Sequence, residues 1–596
     1  MTRSSSLNTL RDLLRAGDLY GLLIPHSDHH AHEFLPEHSK LLTHITGFDG
    51  SAGLCLVLQH KAVLFVDGRY TLQAQHQVDG ALFDLRPYSW SSIEAWIKEA
   101  ALPQEARIGF DPWCVSVGEY PRYETLFKNN NAVFTPLKQA QPFWASLWPH
   151  RPAPLFTPID AHPDKFAGKS VEEKLKDLYA HLSAQNLDTA LLSVGESLCW
   201  LFNVRAHDVP YSPLVTGYAL VHKNGTADLF VSKDLVAPDL SKRLTSLKIT
   251  LHAYEDFVPH LESYTQNGQK VLLDRGTAPY ACQLLIEKKG ALATLGEDPC
   301  IRPRALKTSA ELDGAKTAHL YDGLALTQFL CWLDGQIREG KPVTELSASK
   351  ALLMERQKHP AFKEPSFETI AGTGPNGAIV HYRVTPETDR PLQKGDLFLV
   401  DSGGQYFEGT TDVTRTVFLG DTPTTQQKEH FTRVLKGHIA LARARFPKGT
   451  SGHQLDALAR FSLWEKGLDY AHGTGHGVGA YLGVHEGPQS ISSAPRAVPL
   501  EPGMIVSNEP GYYLEGAYGI RIESLQFIKA SSEHPGFLEF EMLTLAPLDL
   551  RLVEKTLLNH EEKEWLRAYH QRVQDALTPH LDTDTAQWLS RVNTSF

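Results

Sequence analysis

The stretch from Asp401 to Thr416, DSGGQYFEGTTDVTRT, carries two carboxylates that the local pattern places in a β-hairpin. The apolar run before Asp401 predicts a buried strand that ends at this residue. We expect the Gly403-Gly404 pair to supply the turn, and the β-branched residues after Thr410 to form a second strand that returns antiparallel to the first. Asp412 then faces Asp401 across the hairpin.

Two carboxylates at the buried end of a hairpin repel each other unless one is protonated or a cation lies between them. A metal ion is the simplest explanation for Asp401 and Asp412. Asp beside Gly is also common turn chemistry, so the pair taken alone is at least as typical of two residues that cap turns. The sequences downstream decide between these interpretations.

Three downstream sequences offer further ligands. The glycine-rich loop 472–479, HGTGHGVG, presents two histidines, one for a metal and the other for a substrate cavity, although an ordinary turn would give the same pattern. Apolar strands that end at Glu509 and Glu523 repeat the arrangement seen at Asp401. For each strand alone, a surface carboxylate or an ordinary Arg–Glu ion pair is the more typical interpretation.

Four carboxylates and one histidine together form a ligand set that is too rich for a single tetrahedral zinc ion. It suits two hard or borderline divalent cations with bridging carboxylates, and the absence of thiolates favours manganese, then cobalt, iron or zinc. Two such ions hold one hydroxide between them and make it nucleophilic at neutral pH. The predicted reaction class is therefore metal-assisted hydrolysis.

Composition excludes several classes of partner. The 596 residues include 58 Lys plus Arg and 69 Asp plus Glu, which gives a net charge of −11 without a long basic block, so nucleic acid and anionic membranes are not expected partners. The six cysteines lack a CxxC pair, which favours reduced thiols in a cytoplasm. The amino terminus lacks a secretory apolar region, and no stretch approaches the length of a membrane span.

Proline-rich and capping signals divide the chain. The linker from Pro149 to Pro158 separates a mixed α/β domain, residues 1–150, from a second one, residues 159–305. The hairpin pattern of residues 220–232 repeats that of residues 56–67, which indicates a duplication. Capping boxes at Thr308 and Asn559 then open a third domain, residues 306–553, and an amphipathic tail, residues 554–596, which we expect to dock on its own domain or on a second subunit.

A histidine-rich loop in the first domain holds His26, His29, His30 and His32. Clustered histidines can bind a metal, but no cysteine and no ordered HxxxH spacing accompany them here. We therefore interpret the loop as a solvated connection.

The order Asp, Asp, His, Glu, Glu in the contexts DSGGQY, GTTDVTRT, HGTGHGVG, SNEPGYY and GIRIES resembles the aminopeptidase P branch of the pita-bread metallopeptidases. The resemblance extends to the sequences around His381 and His485 (GTGPNGAIVHY and VHEGP) and to the amino-terminal TGFDGSAG and DGRY, so it covers nearly the whole chain. It implies an α/β (α+β) architecture, in which two tandem creatinase-like domains precede a pita-bread catalytic domain. One departure is Ala206-His207, where the family has Gly-Ser.

The resemblance also implies a role for each residue. Asp401 would chelate one metal, Asp412 and Glu523 would bridge both, and His476 and Glu509 would complete the second. Catalysis would use His381 and His485 near the scissile bond, together with Glu509. His472 would line the cavity, and Arg521 would orient a bridging carboxylate. The metals would be two Mn²⁺ ions, with Co²⁺ or Zn²⁺ as alternatives.

Members of this branch release the first residue from peptides whose second residue is proline. The resemblance therefore implies a cytoplasmic, homodimeric Xaa-Pro aminopeptidase that acts on peptides, with attack by a metal-bridging hydroxide on the Xaa-Pro bond. A prolidase-like dipeptidase is the alternative within the fold. A non-catalytic binding module and a creatinase-like amidinohydrolase fit less well, because all five ligands and both histidines are present.

Overall fold

The computed structural model describes residues 3–138 and 140–593. The outermost residues of the predicted first domain and tail, 1–2 and 594–596, lie outside the described residues, as does residue 139. The chain divides into two compact units, Met1–Pro163 with Lys169–Ile301, and Asp164–Gly168 with Arg302–Phe596.

The first unit contains two six-stranded sheets. The first sheet has the spatial order Asp84–Pro87, Ala62–Val66, Leu54–Leu58, Gly21–Pro25, Ala106–Phe110 and Ala132–Pro136. Successive residues of its central strands alternate between two apolar clusters, so that Leu22 and Ile24 pack on one face and Leu23 on the other. Its helices are Arg3–Ala16, Leu41–Thr46, Thr71–Gln77, Trp90–Ala100, Tyr120–Lys128 and Ala140–Leu147.

The second sheet repeats the first strand for strand. Its order is Ile249–Ala253, Thr226–Val231, Tyr218–His222, Thr189–Leu192, Lys270–Asp274 and Leu292–Gly296. In both sheets the central strand pairs antiparallel with one neighbour and parallel with the other. The accompanying helices are Val171–Ala184, Gly195–Phe202, Pro238–Ser246, Phe257–Tyr264 and Tyr280–Glu287, and helix Ile301–Ala305 begins at the last residue of this unit. This common topology agrees with the predicted duplication.

The histidine-rich loop is buried, so its interpretation as a solvated connection is wrong. Asp28 accepts hydrogen bonds from the backbone N–H groups of His30 and His32 and from Nδ1 of His32. The ring of His30 lies 2.9 Å from the Ser193 carbonyl oxygen and 2.9 Å from the Tyr254 hydroxyl group. The loop therefore joins the two modules of this unit. The His30 imidazole is the hydrogen-bond partner of the Ser193 carbonyl group and the Tyr254 hydroxyl group, which would otherwise need water.

The second unit is built from small sheets between long helices. Its sheets contain Ile370–Thr373, Leu397–Ser402 and Val413–Phe418; Phe362–Pro365, Gly404–Tyr406 and Gly409–Thr410; Arg445–Pro447, Phe537–Met542, Ser524–Ala530 and Ile505–Asn508; Gly475–His476 and Ser490–Ile491; Gly511–Leu514 and Tyr518–Arg521. Its longer helices are Ser309–Glu339, Glu345–Gln357, Thr425–Ala442, Gly452–Trp464, His560–Leu577 and Thr583–Asn593.

Two of these helices begin at the capping boxes that the sequence predicts. The side chains of Thr308 and Glu311 form a reciprocal capping box, as do those of Asn559 and Glu562. The tail helix buries Leu566, Tyr569 and Val573 in the core of its own unit. The first alternative for the tail, docking on its own domain, is the one observed. Among the described residues, no helix is both long and apolar enough to span a membrane.

The predicted hairpin turn is wrong. Gly404 begins a short strand, and the chain reverses at Phe407-Glu408, between Gly404–Tyr406 and Gly409–Thr410. Gly403 is instead a point of close backbone contact, since a Cβ atom there would lie 2.0 Å from the Thr411 carbonyl oxygen. The glycine pair therefore allows the two limbs of a longer hairpin to approach each other beside the carboxylates.

Candidate metal centre

The two aspartates lie on one side of the hairpin. Leu397–Ser402 pairs antiparallel with Val413–Phe418, which places Asp401 opposite Thr414. Because side chains alternate along a strand, Asp412 points to the same side as Thr414 and therefore as Asp401. Asp401 and Asp412 are both buried.

Two glutamates reach the same place from neighbouring strands. Asn508 pairs with Ser524, so Glu509 and Glu523, which flank this pair, emerge at the same end of the sheet. The backbone N–H of Glu523 donates to the Thr414 carbonyl oxygen at 3.2 Å, which joins this sheet to the hairpin. All four carboxylates thus come from the ends of paired strands.

His476 presents one ring nitrogen to these carboxylates. Its Nδ1 lies 3.0 Å from the Gly477 carbonyl oxygen and donates to it, which leaves the Nε2 lone pair free to bind a metal. Nε2 lies 3.4 Å from Asp412 Oδ2 and 3.5 Å from Glu509 Oε1. The backbone N–H of His476 donates to Ser507 Oγ at 2.9 Å, and this hydroxyl in turn donates to Glu509 at 3.0 Å.

The donor atoms form two main overlapping groups. Asp401, Asp412 and Glu523 offer ligand atoms within 4.8 Å of one another, and so do His476, Glu509 and Glu523. Oδ1 of Asp401 and Oδ1 of Asp412 are buried and lack a hydrogen-bond partner among the described residues. Such orphaned carboxylate oxygens are costly in a protein interior unless a cation binds them. The residues present therefore fit a pair of divalent cations.

Crowded carboxylates disturb the protonation of the site. Burial raises the pKa of Asp401 to about 6, even though Arg521 beside it acts in the opposite direction. Burial and then the charge of Asp412 raise the pKa of Glu523 well above its usual range. Burial lowers the basicity of His476, but the hydrogen bond with Asp412 and the charge of Glu509 raise its pKa to about 9. The protein alone provides too little positive charge for these carboxylates.

Arg521 lies beside the ligands as expected, but its guanidinium hydrogen-bonds to Asp401, which was predicted to chelate a single ion, and not to one of the predicted bridging carboxylates. Nη2 and Nε of Arg521 donate to Oδ2 of Asp401 at 2.6 and 3.1 Å, and Nη1 donates to the Tyr513 hydroxyl group at 2.6 Å. Thr414 accepts from Arg521 Nε and donates to Glu523 Oε2 at 2.8 Å. The period-two spacing of Asp412 and Thr414 could have identified Thr414. Tyr513 lies in the SNEPGYY sequence, where no local pattern identifies it as a partner of Arg521.

The other predicted histidines lie at different positions. His472 is buried, with Nε2 2.8 Å from the Tyr513 hydroxyl group, so it belongs to the wall of the site. His485 is exposed, and its ring meets that of His476 edge to face at 4.3 Å between centroids. A ligand atom of His485 lies within 4.8 Å of those of Asp412 and His476. His381 is half-buried and, among the described residues, is not part of these groups of donor atoms.

The loop that carries His485 is held by an ion pair that the sequence did not reveal. Glu486 is buried, and its Oε1 accepts from Lys307 Nζ at 2.7 Å. Lys307 also donates to the Arg304 carbonyl oxygen. The Lys307–Glu486 contact spans 179 residues of sequence, so no local pattern predicts it.

Four family models match successive parts of the chain. The Creatinase/Prolidase N-terminal domain matches residues 7–140 and, in a second form, residues 150–311. Metallopeptidase family M24 matches residues 313–530, and the C-terminal region of peptidase M24 matches residues 536–595.

Named relatives match over the full length. Aminopeptidase P1 from Lotus japonicus is 37% identical, with 98% of this chain and 99% of the relative covered. Aminopeptidase P1 from Arabidopsis thaliana is 36% identical, with coverages of 99% and 98%. The crystal structure of X-prolyl aminopeptidase from Caenorhabditis elegans, described as a cytosolic enzyme with a di-nuclear active site, superimposes with a TM-score of 0.94, 31% identity and complete coverage of both chains.

Proposed function

The chain belongs to the Xaa-Pro aminopeptidases of metallopeptidase family M24, and from that premise we propose that two divalent cations bind between Asp401, Asp412, His476, Glu509 and Glu523. The enzyme releases the amino-terminal residue from peptides with proline in the second position, at a dinuclear metal site. The observation that carries the ligand assignment is the pair of buried carboxylate oxygens, on Asp401 and Asp412, that have no hydrogen-bond partner among the described residues.

The two overlapping donor groups support a division of the ligands. Asp401 would hold one ion, Glu509 and His476 would hold the other, and Asp412 and Glu523 would be shared, since Glu523 belongs to both groups and Asp412 also offers a ligand atom within 4.8 Å of His476. Arg521 orients Asp401 by occupying Oδ2, which leaves Oδ1 to the metal. An oxygen-rich set with one imidazole and no thiolate favours Mn²⁺, with Co²⁺ and Zn²⁺ as alternatives.

When bound, the cation pair generates a nucleophile from water at neutral pH and polarises the scissile carbonyl group. The chain's own residues position the substrate and move protons. His485 lies exposed beside the ligands, where it can donate a hydrogen bond to the substrate carbonyl oxygen. We assign His381 the same task. Glu509, or one of these histidines, passes a proton to the proline nitrogen as the bond breaks.

Proline in the second position explains why a specialised site is required. An Xaa-Pro bond has no N–H to donate, so a general aminopeptidase loses one recognition hydrogen bond there, and the ring restricts the residue before it. The site must therefore recognise the ring by shape.

We infer domain boundaries at residues 1–150, 159–305, 306–553 and 554–596. Residues 151–158 form neither helix nor strand, which supports the first boundary. The boundary between the two compact units lies after Ile301, which supports a third domain that starts near residue 306. The tail contributes two helices, although these pack into the core of the catalytic unit rather than apart from it.

We also propose that the enzyme is a cytoplasmic homodimer. Helix Gly452–Trp464 exposes three large apolar residues at a spacing of three, which places them on one face: Leu458, Phe461 and Trp464. Such a patch is typical of an interface. The tail helix no longer supports a dimer, because its apolar face is buried within its own chain. The six free cysteines fit a reducing compartment, and the C. elegans relative is described as cytosolic.

The ligand assignment is tested with the substitution Asp412→Ala. Changes in residues that only orient metal ligands cost about 10–100-fold, so loss of a bridging ligand is expected to lower Arg-Pro-Pro hydrolysis by more than about a hundredfold. Bound metal, counted by inductively coupled plasma mass spectrometry, is expected to fall from two ions per chain to fewer than one. Glu515→Ala, an exposed carboxylate on the same chain, serves as the control. Retention of both ions and full activity in Asp412→Ala would overturn the assignment.

A further inference from the structure

A second cluster of metal-binding side chains lies in the amino-terminal unit, in the repeated module. Asp228, His252 and His260 offer ligand atoms within 4.8 Å of one another. Nothing in the peptidase reaction uses these residues. They come from two adjacent strands and from the helix that follows them, Thr226–Val231, Ile249–Ala253 and Phe257–Tyr264.

Strand register brings the cluster together. Thr226–Val231 runs parallel to Ile249–Ala253, with Asp228 beside Thr250 and Phe230 beside His252. Because side chains alternate, Asp228 and His252 point to the same face of the sheet. His260 lies over this face, with its ring edge-on to that of Phe230 at 5.1 Å between centroids. The apolar ring of Phe230 thus packs beside the three polar groups.

The two histidines lie at different distances from the Asp228 carboxylate. His252 Nε2 lies 2.7 Å from Asp228 Oδ1, a hydrogen-bond distance, whereas His260 Nε2 lies 3.6 Å from Asp228 Oδ2. Two ligands of one tetrahedral zinc ion, each about 2.0–2.2 Å from the metal, are separated by about 3.4 Å. The 3.6 Å between His260 Nε2 and Asp228 Oδ2 is therefore close to the separation of two ligands on one zinc ion.

Asp228 is already oriented as a ligand. His222 Nε2 lies 2.8 Å from Asp228 Oδ2, and His222 Nδ1 lies 3.1 Å from the Thr189 hydroxyl group. Such a chain of partners behind a ligating carboxylate is common at metal sites. The side chains remain reachable from solvent, with 17%, 22% and 27% exposed for Asp228, His252 and His260.

We propose that Asp228, His252 and His260 bind one Zn²⁺ ion, at a site separate from the catalytic centre. Two imidazoles and a carboxylate suit zinc, and the fourth position is open to water. On binding, the ion takes the place of the hydrogen at His252 Nε2, and the ring binds as the neutral imidazole with its proton on Nδ1. The ion joins strand Ile249–Ala253, at the edge of its sheet, to the helix that packs over it.

The other described donor group in this unit is a weaker candidate. Asp111 lies with His29 and Cys114 within 4.8 Å, but its Oδ2 accepts from the Trp144 indole N–H and its Oδ1 from the Trp113 backbone N–H. Burial also raises the pKa of the Cys114 thiol well above its usual range, and a thiolate is the form that binds metal. This group provides an internal comparison.

The test counts metals on the Mn²⁺-loaded enzyme. The protein is dialysed against buffered free Zn²⁺, and bound manganese and zinc are measured together by inductively coupled plasma mass spectrometry. If zinc only exchanges at the catalytic centre, the total per chain stays constant. The proposal predicts one ion more in the wild type than in His260→Gln or Asp228→Asn, whatever the occupancy of the catalytic centre.

Two controls locate the extra ion. His181→Gln, an exposed histidine in the same module, is expected to keep it, and so is Cys114→Ser. Circular dichroism spectra and Arg-Pro-Pro hydrolysis, measured without added Zn²⁺, are expected to be unchanged and show that each variant is folded. Equal metal totals in the wild type, His260→Gln and Asp228→Asn, or loss of the ion in Cys114→Ser instead, would overturn the proposal.

Discussion

Arg521 occupies one oxygen of Asp401 and leaves the other to face the centre. It is the only guanidinium hydrogen-bonded to a ligand carboxylate among the described residues, and it also donates to Tyr513. His476 Nε2 lies within 3.5 Å of Asp412 and Glu509, and Glu523 offers a ligand atom within 4.8 Å of it. Two divalent cations offset the remaining negative charge, which is why metal binding and the geometry of the carboxylates depend on each other.

The substitution Arg521→Lys keeps the positive charge but removes the two-pronged contact with Asp401 and the bond to Tyr513. Metal affinity is expected to fall about 10–100-fold, as it does when the partners of metal ligands are changed. A titration of hydrolysis against Mn²⁺ measures this loss.

Restoration of activity by excess Mn²⁺ distinguishes a residue that positions a metal ligand from one that only stabilises the fold. Saturating Mn²⁺ is expected to restore most of the activity of Arg521→Lys, whereas Asp412→Ala should remain inactive. Failure of Mn²⁺ to restore activity, with an unchanged metal affinity, would show that Arg521 does not act through the ligands.

Single residues at strand ends were predictable because apolar runs that stop at a carboxylate can be recognised locally. Asp401 and Glu509 were found in this way, and so was Glu523, although it lies between strands Tyr518–Arg521 and Ser524–Ala530 and not at the end of the predicted strand. Thr414 and Tyr513 were not, since their roles depend on which strands lie side by side, and register between distant strands is absent from a local pattern.

Among the elements, the hairpin and the histidine-rich loop show where local patterns mislead. A Gly-Gly pair is typical of a turn, but Gly403 is needed where one strand crosses close to another. The histidines of the loop look hydrophilic, yet His30 and His32 hydrogen-bond in the interior to the Ser193 carbonyl group, Tyr254 and Asp28. Buried polar groups are acceptable when partnered, and the partners here lie far away in sequence.

The Asp28–His32 pair predicts a pH dependence of stability. Burial acts to raise the pKa of Asp28, but His32 lowers it overall; burial acts to lower the pKa of His32, but Asp28 raises it overall. The Asp28 contribution is present above its unfolded pKa of about 4 and is lost as the pH falls. The His32 contribution is present below about 6.5 and is lost as the pH rises through the higher folded value.

Asp28→Asn is therefore expected to destabilise the amino-terminal unit by about 3–5 kcal/mol near pH 6, and by less as the pH falls below about 4. Thermal unfolding between these pH values measures the difference, with Asp239→Asn, a fully solvated carboxylate, as the control. A difference that is constant with pH would contradict the pair's role.

Across the whole molecule, the two amino-terminal modules share one topology, and the catalytic ligands lie in the other unit. The duplication could be recognised from sequence because paired apolar strands recur at a fixed offset. The assignment of residues 164–168 to the catalytic unit could not, since a five-residue segment carries no signal for the unit it joins.

The proposed dimer predicts that Phe461→Asp yields a monomer, because a charge in the centre of an apolar interface loses its solvation. Leu155→Asp is the matched control, since Leu155 and Phe461 are each 64% exposed. Light scattering coupled to size-exclusion chromatography gives the mass. The proposal is contradicted if the wild type is already monomeric, or if both variants keep the dimer mass.

The most direct test of the enzyme's assignment is hydrolysis of Arg-Pro-Pro, Arg-Pro and Arg-Ala-Ala by metal-stripped protein titrated with Mn²⁺. We predict release of arginine chiefly from Arg-Pro-Pro, with activity that rises until two ions are bound per chain. Cleavage of Arg-Pro alone would make the protein a dipeptidase of the same fold. Absence of cleavage with any divalent cation would contradict the account, since the five ligands would then serve binding or structure.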